Sequence, residues 1–257
     1  MKLNEYLSNL NFKEKVIFFP QLPFLFYKSR IKKVPLYATD LIVPINGQKT
    51  VLSLLWRGPE NYVPVWFSKI DFKAVLGDEK IFLDIGSNIG LFSAMVFKET
   101  KANVYLFEIN PSINKLLKRM AKDLDKSKIN IFGGGLSNKK CKQNISFDSN
   151  FSLMGTLDID RYKDKNNFKT QGQVQVYTLD SLSKSLLQDK KIGMIKLDVE
   201  GWEDKVLMGA KKLLKRDFPQ ILFEANRPGD FEKCEKILKP IGYKFFKLSE
   251  TDWLAKI

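Results

Sequence analysis

The residues best suited to catalysis in this sequence are carboxylates that come directly after apolar runs. Asp198 and Glu200 follow the run at 192–197, and Glu224 ends the next one. Lys196 interrupts the first run, and because side chains alternate along a strand it should lie on the same side as Asp198. Parallel sheets place their sites at the carboxyl ends of strands. We therefore expect Lys196, Asp198, Glu200 and Glu224 to line a catalytic pocket.

The lack of histidine restricts the chemistry of this pocket. The chain holds no histidine, which excludes Ser-His-Asp triads and histidine-ligated metals. Asp198 is then the first candidate for a general base, or it orients a hydroxyl whose proton goes to water. In an alternative arrangement, Asp198, Glu200 and Glu224 hold a magnesium ion that acidifies the hydroxyl. In a purely structural arrangement, Lys196 pairs with one carboxylate and Glu200 caps a helix that begins near residue 202.

A glycine turn between an apolar run and a helical pattern is the second chemical feature. It has the sequence DIGSNIG at 84–90. Gly86 and Gly90 allow a ligand to approach the backbone closely, and a helix that begins here presents unpaired N–H groups to it. Asp84 can accept hydrogen bonds from a ligand amine or anchor the turn. The spacing lacks the middle glycine of G-x-G-x-x-G, which disfavours a dinucleotide-dependent dehydrogenase.

Glu108 lies at the end of the next apolar run, 104–107. In doubly wound sheets, a carboxylate at this place accepts hydrogen bonds from the ribose hydroxyls of a nucleotide. Acidic residues around a glycine turn suit a cationic or neutral nucleoside better than a pyrophosphate. We therefore expect S-adenosylmethionine, which carries a sulfonium and an ammonium group, as the cofactor.

Four segments, taken in order, resemble the FkbM family of S-adenosylmethionine-dependent methyltransferases. They are DIGSNIG at 84–90, FEINP at 107–111, IKLDVEGWE at 195–203 and VLMGA at 206–210, and the resemblance covers roughly residues 80–246. The pattern K-x-D-V-E-G-x-E followed by V-L-x-G-A carries most of its specificity. The resemblance implies a Rossmann-like class I methyltransferase fold with a seven-stranded sheet. It also implies O-methylation of a hydroxyl, frequently on a sugar or natural product.

The same resemblance implies which residues contact the cofactor. The segment GLS at 135–137 follows the third predicted strand, where such proteins usually hold the adenine. The implied cofactor-binding residues are Asp84, Gly86, Ser87, Asn88, Gly90, Glu108, Leu136 and Ser137.

Short apolar runs alternate with helical patterns from residue 80 onward, and they predict the elements that position these side chains. Predicted strands cover 81–85, 104–107, 130–132, 192–199 and 220–225, with a closing pair at 243–248 and 252–257. Predicted helices cover 91–98, 113–124 and 203–214. This alternation is typical of an α/β protein with a mostly parallel sheet and helices on both faces.

Residues 1–75 are predicted to form an N-terminal extension to this domain. The runs at 36–45 and 49–56 flank the dipeptide at 46–47, Asn-Gly, which predicts a small β-hairpin. A helix is predicted over 62–75. The extension is a candidate for substrate recognition.

The methyltransferase domain is predicted over 76–257, with an insertion at about 141–178. Within the insertion, the segments 144–147 and 173–177 alternate as strands do, and the polar stretch at 158–172 reads as a loop. We expect a small-molecule or glycan acceptor to lie near residues of the extension and the insertion. These residues are Trp56, Arg57, Glu60, Tyr62, Trp66 and the segment 151–156.

The chain is strongly basic, with 43 Lys and Arg against 29 Asp and Glu and a net charge of +14. This charge favours anionic partners without selecting one, and most lysine clusters are expected to be solvated helix faces. The clusters are Lys115, Lys118 and Lys122, and Lys211, Lys212 and Lys215. An RNA methyltransferase and a non-catalytic binding protein on this fold stay as alternatives. No RNA-binding module is recognisable, so nucleic acid is not the expected partner.

Cysteine usage and the N-terminal sequence bear on location. Cys141 and Cys234 are far apart in sequence, which predicts neither a disulfide scaffold nor a zinc site and favours the reducing cytoplasm. The apolar stretch at 16–27 is interrupted by Pro20 and Pro23 and is shorter than the roughly 20 residues that span a bilayer. It packs onto the core, or its basic and aromatic residues contact the inner face of the membrane peripherally. The sequence does not specify an oligomeric state.

Overall fold

The structure of the chain, a computed structural model, describes residues 33–35, 42–44, 64–121, 127–148, 155–157 and 168–257. The strands in chain order are β1 (Lys33–Pro35), β2 (Ile42–Pro44), β3 (Ile81–Ile85), β4 (Val104–Phe107), β5 (Ile129–Phe132), β6 (Gly135–Leu136), β7 (Cys141–Asp148), β8 (Gly155–Thr156), β9 (Phe168–Tyr177), β10 (Ile192–Leu197), β11 (Gln220–Glu224), β12 (Lys244–Lys247) and β13 (Asp252–Lys256). The α-helices are α1 (Phe72–Leu76), α2 (Leu91–Thr100), α3 (Pro111–Met120), α4 (Glu203–Met208), α5 (Lys211–Asp217) and α6 (Asp230–Leu238). Short 3₁₀ turns cover Phe67–Lys69, Asp180–Leu182 and Lys239–Ile241.

One seven-stranded sheet forms the centre of the fold, with the strand order β12-β13-β11-β10-β3-β4-β5. Neighbouring strands from β11 to β5 are parallel, and β13 runs antiparallel to both of its neighbours. The prediction of a seven-stranded, mostly parallel sheet is therefore confirmed. Because the carboxyl ends of parallel strands meet at one edge, the residues that follow β3, β4, β10 and β11 converge there.

Helices cover both faces of this sheet because its central strands are apolar on both sides. Every residue of β3 and β10 is buried. Phe82 and Met194 pack with α1, α2 and α3 on one face, while their neighbours Leu83 and Ile195 pack with α4, α5 and α6 on the other. Side chains that alternate along a strand divide in this way between two cores. The predicted helical layers on both faces are confirmed.

A second sheet lies after β5 and has the order β6-β9-β7-β8. The long strands β7 and β9 pair antiparallel, and the segments predicted as strands at 144–147 and 173–177 fall within them. Strand β9 begins at Phe168, inside the polar stretch predicted as a loop at 158–172. That part of the loop prediction was wrong, because its backbone groups continue the ladder with β7 as far as Asp148.

The segment 203–214, predicted as one helix, forms the two helices α4 and α5. The carboxylate of Asp180 accepts the backbone N–H groups of Lys212 and Leu213, so α5 begins with a cap of its own. The N–H of Asp180 donates to the carbonyl oxygen of Gly209 at the break. The prediction of one continuous helix was therefore wrong. The local pattern does not show the break, because the residue that caps α5 is distant in sequence.

The segment predicted as a helix over 62–75 holds a 3₁₀ turn and the short helix α1. Asp71 separates them and caps α1, since its side chain accepts the N–H of Ala74. Ahead of them, β1 and β2 pair antiparallel, and β2 lies in the first arm of the predicted hairpin. The Asn-Gly turn at 46–47 and the second arm at 49–56 lie outside the described residues.

Replacement of Gly86 by alanine should destabilise the fold more than the same change at Gly229. The two glycines have similar positive φ angles, 79° and 86°. A Cβ atom at Gly86 would overlap the carbonyl oxygen of Asp198, while one at Gly229 would meet no atom within 4 Å. We expect Gly86→Ala to lower the free energy of unfolding by about 3 kcal/mol or more and Gly229→Ala by about 1–2 kcal/mol. Urea unfolding measures both, and equal losses would contradict the close approach of Gly86 to Asp198.

Candidate functional site

A cavity of about 260 Å³ opens at the carboxyl edge of the central sheet. It is lined by Ile85, Gly86, Ser87, Asn88, Ile89, Leu91, Phe92, Phe107, Glu108, Ile109, Gly134, Gly135, Leu136, Leu157, Lys196, Asp198, Val199, Glu200 and Trp202. The cavity therefore brings together the glycine turn, the end of β4 and the acidic segment after β10, which the sequence analysis identifies separately.

Lys196 is the centre of the charged part of this cavity. Its Nζ atom donates to Oδ2 of Asp198 at 3.0 Å and to the carbonyl oxygen of Gly86 at 3.3 Å. It also lies 3.9 Å from Oδ1 of Asp84, the residue that pairs with Lys196 across the strands β3 and β10. The ring of Phe92 lies beneath the ammonium group, with its centroid 4.7 Å from Nζ. Burial lowers the pKa of Lys196, but Asp198 and Asp84 outweigh it and raise that pKa above its ordinary value, so the ammonium group stays charged.

Glu224 contacts Asp198 from the neighbouring strand β11. Burial, together with the charges of Asp198 and Glu200, raises the pKa of Glu224 to about 8. The raised pKa favours the protonated form of Glu224 beside the carboxyl of Asp198. Of the four residues predicted to line a catalytic pocket, Lys196, Asp198 and Glu200 line the cavity, and Glu224 does not. It lies behind Asp198 because β11 ends beside β10.

Asp84 and Gly90 also lie outside the cavity lining. Asp84 is fully buried, and its Oδ2 accepts hydrogen bonds from the N–H and the hydroxyl of Ser93 at 3.1 and 2.7 Å. It therefore anchors the first turn of α2. Gly90 has a φ of 78°, and a Cβ atom there would lie 3.0–3.1 Å from the side chains of Leu106 and Leu117. Packing in the core therefore accounts for this glycine, and its contact with the cofactor stays a prediction.

Glu108 holds the glycine turn from the end of β4. Its Oε2 accepts the N–H of Asn88 at 2.8 Å, and its Oε1 accepts the N–H of Asn110 at 2.7 Å. The residue is 7% exposed, and burial raises the pKa of its carboxyl to about 7. Beside it, the hydroxyl of Ser87 is buried and has no hydrogen-bond partner among the described residues. This wall of the cavity thus keeps hydrogen-bonding capacity for a ligand.

Glu203 holds the turn that follows β10, a role that the sequence analysis did not assign to it. Its Oε1 accepts the N–H groups of Val199 and Gly201 at 2.9 and 3.2 Å. Between them, Glu200 has a φ of 56°, a conformation that costs a non-glycine residue about 1–3 kcal/mol. The N-cap residue of α4 is Trp202, so the alternative in which Glu200 caps this helix is wrong. One signal in the sequence could have indicated this role, because Glu203 occupies the last position of the pattern K-x-D-V-E-G-x-E.

The segment predicted to hold adenine, 135–137, lies partly in the cavity wall and partly behind it. Leu136 lines the cavity, whereas Ser137 does not. The hydroxyl of Ser137 instead accepts the indole N–H of Trp202 at 3.2 Å and orients that ring in the cavity wall. Trp202 and Leu157 also line the cavity, and neither was predicted to. Leu157 comes from the insertion and follows the segment 151–156 that is expected near an acceptor.

The structure offers no support for the magnesium alternative. In the described part of the chain, no three Asp, Glu or Cys side chains come together as a metal site requires. The ammonium group of Lys196 lies between Asp84 and Asp198 and supplies the positive charge there.

Trp66 is the member of the predicted acceptor-binding set in the extension that the structure describes. Its ring packs on Phe67 with centroids 5.9 Å apart, and Phe67 packs on Phe92, which lines the cavity, at 4.6 Å. Trp66 is therefore two rings away from the cavity. The other members, Trp56, Arg57, Glu60 and Tyr62, lie outside the described residues, as does the stretch at 16–27 considered for membrane contact. Within the described part of the chain, no helix is long and apolar enough to span a bilayer.

Comparison with known proteins shows a family match over most of the domain. A family model, the methyltransferase FkbM domain, matches residues 84–246. No curated protein matches the chain significantly.

Several solved structures are similar to this chain at low sequence identity. The methyltransferase FkbM from Methylobacillus flagellatus KT is 16% identical with a TM-score of 0.50, and the match covers 92% of this chain and 59% of that one. This chain thus spans 59% of the length of that relative. A precorrin-6y C5,15-methyltransferase from Geobacter metallireducens GS-15 is 12% identical with a TM-score of 0.43, covering 74% of this chain and 84% of its own. Aeropyrum pernix fibrillarin in complex with S-adenosyl-L-methionine is 13% identical with a TM-score of 0.44, covering 71% and 68% respectively.

The buried carboxyl of Glu203 should make the fold less stable as pH rises. Burial raises the pKa of Glu203 from 4.5 to about 7. Between these pH values the folded chain keeps a proton that the unfolded chain has lost. The stabilisation of the folded chain by this bound proton is therefore complete below pH 4.5 and is lost as the pH rises through 7. Glu203→Gln does not titrate and keeps an oxygen for the N–H groups of Val199 and Gly201, so it should reduce the pH dependence.

We expect the difference in unfolding free energy between pH 5 and pH 8 to shrink by up to about 3 kcal/mol in Glu203→Gln. Urea unfolding at the two pH values measures it. Glu232→Gln, at an exposed position of α6, is the control and should leave the dependence unchanged. A similar effect in both variants would contradict the assignment to Glu203.

Proposed function

The chain belongs to the FkbM methyltransferase family, and on that premise we propose an S-adenosylmethionine-dependent O-methyltransferase that acts on a hydroxyl of a sugar, a glycan or a related small molecule. The observation that carries the proposal is one cavity lined both by Glu108, the carboxylate after β4, and by the Lys196–Asp198 pair after β10. The first suits a nucleoside and the second suits the removal of a proton.

The residues around the cavity fit this cofactor. Glu108 accepts one N–H at each oxygen, from Asn88 and Asn110, and keeps acceptor capacity for two ribose hydroxyls. The unpartnered hydroxyl of Ser87 offers a further hydrogen bond, and Leu136 offers an apolar contact for a base. The carboxylates of the lining suit a ligand with a sulfonium and an ammonium group. When bound, S-adenosylmethionine supplies an electrophilic methyl group.

Asp198 is the proposed general base. Its carboxylate accepts the proton of the acceptor hydroxyl while that oxygen becomes the nucleophile. Lys196 donates to Oδ2 of Asp198 and orients its carboxylate toward the cavity, which both residues line. Glu224 lies beside Asp198 on β11, and burial raises the pKa of its carboxyl and so favours the protonated form. Since the chain holds no histidine, no imidazole competes for this role.

A neutral hydroxyl compound is the acceptor that the lining favours. Asp198 and Glu200 line the cavity and would repel the phosphates of an RNA chain. The ring of Phe92 adds an apolar wall against which a sugar can pack. Both cysteines of the chain, Cys141 and Cys234, are free thiols, which fits a reaction in the reducing cytoplasm.

Glu108→Gln should weaken the binding of S-adenosylmethionine. The amide replaces one acceptor oxygen by a donor and places it against the N–H of Asn88 or Asn110. We expect the dissociation constant, measured by calorimetry, to rise at least tenfold, which is about 1.4 kcal/mol. Glu99→Gln, at an exposed position of α2, should bind as the natural chain does. An unchanged affinity in Glu108→Gln would contradict the ribose assignment.

Asp198→Asn should leave cofactor affinity within about threefold and reduce methyl transfer by 10²- to 10⁴-fold, roughly the contribution of a general base. The assay follows label from methyl-labelled S-adenosylmethionine into polar small-molecule and glycan extracts of the source cells. Asp78→Asn, at an exposed position before β3, is the matched control. Equal transfer by Asp198→Asn and the natural chain would remove Asp198 from the mechanism, and label that enters RNA alone would contradict the proposed acceptor.

A further inference from the structure

A second cavity, which we call the basic groove, lies beside the first. Its volume is about 590 Å³, which is in the range of small-molecule sites. Ile109 and Gly134 line both cavities and form a common wall. Helix α3 forms one side of the basic groove, and strand β9 contributes Gln175 to the other. Neither the motifs of the sequence nor the proposed methyl transfer accounts for this groove.

The charge of the basic groove is opposite to that of the first cavity. Lys115, Lys118 and Arg119 line it, and their spacing of three and four residues places them on the same face of α3. No Asp or Glu among the described residues lines it. No ion pair joins the three cations to a described carboxylate. Like charges at this spacing repel each other, and no described carboxylate in the lining offsets the charge of these three cations.

The groove also has a fixed polar group in its wall. Asn114 lines it, is 6% exposed, and donates from Nδ2 to the carbonyl oxygen of Glu108 at 3.5 Å. Gly133 makes room for this amide, because a Cβ atom there would lie 3.0 Å from its Oδ1. A buried amide beside three exposed cations combines a rigid hydrogen-bonding group with mobile charges.

We propose that the basic groove binds the phosphate or diphosphate group of a small molecule. Three cations within two turns of one helix match a group with two or three negative charges, and Arg119 can bind two phosphate oxygens at once. A nucleic acid carries single charges spread along an extended chain, whereas these cations are confined to one cavity. Since Lys196 and Asp198 do not line the groove, the ligand occupies a site distinct from the proposed reacting cavity.

Titration of the full chain with inorganic pyrophosphate tests this proposal. The variant Lys115→Gln/Lys118→Gln/Arg119→Gln should bind pyrophosphate at least tenfold more weakly than the natural chain by calorimetry. The matched control is Lys211→Gln/Lys212→Gln/Lys215→Gln, which removes the same three charges from exposed positions of α5 and should bind as the natural chain does. Circular dichroism checks that α3 persists, because Lys118 and Arg119 lie in its last turn, where cations also stabilise a helix.

The outcomes separate this proposal from the proposed function. Equal weakening in both triple variants, or no binding of pyrophosphate by the natural chain at millimolar concentration, would overturn the assignment of the basic groove. Binding of an RNA oligonucleotide in place of pyrophosphate, lost in the α3 variant, would overturn the small-molecule ligand. Affinity for S-adenosylmethionine should be the same in all three proteins. If the natural chain did not bind S-adenosylmethionine, that result would count against the proposed methyl transfer and not against the basic groove.

Discussion

A buried lysine fixes the geometry of the reacting cavity. Strand β10 is covered on both faces, and an ammonium group there costs several kcal/mol unless it is paired. Lys196 meets this requirement with Asp84, Asp198 and the carbonyl oxygen of Gly86. These partners belong to β3, to the segment after β10 and to the glycine turn. One cation therefore sets the relative positions of the three segments that would hold the proposed cofactor and base.

Carboxyl groups outnumber cations around this lysine, and the pKa values show the consequence. Burial raises the pKa of Glu108 to about 7 and that of Glu224 to about 8, since few positive charges lie nearby to stabilise their ionised forms. The backbone is strained at the same place, with Asn88 at a φ of 48° and Glu200 at 56°. Strain and perturbed carboxyls cluster at functional sites because the fold holds them for a ligand. A cationic cofactor of the proposed kind would relieve the repulsion among these groups.

The sequence predicts the sheet well because its signals are local. Strands β3 and β4 begin and end at the predicted residues, since a run of apolar side chains suffices to define a strand buried on both faces. The site depends on contacts between residues distant in sequence, such as the hydrogen bond from Trp202 to Ser137, and local patterns do not show them. Gly86 illustrates the limit. A glycine at this position indicated that a ligand approaches the backbone closely, but the group that lies against Gly86 is the carbonyl of Asp198.

The net charge of +14 conceals a separation of charge between the two cavities. Carboxylates at strand ends are buried and depend on N–H groups and Lys196, whereas the lysines of helix surfaces keep their hydration. Among the described residues, three exposed cations lie on one face of α3, whereas the first cavity is lined by Glu108, Asp198 and Glu200 with one lysine, Lys196. Because Ile109 and Gly134 separate the two cavities, a phosphate in one and a cationic nucleoside in the other would lie close together with opposite charges. The wall that the two cavities share therefore separates an acidic site from a basic one.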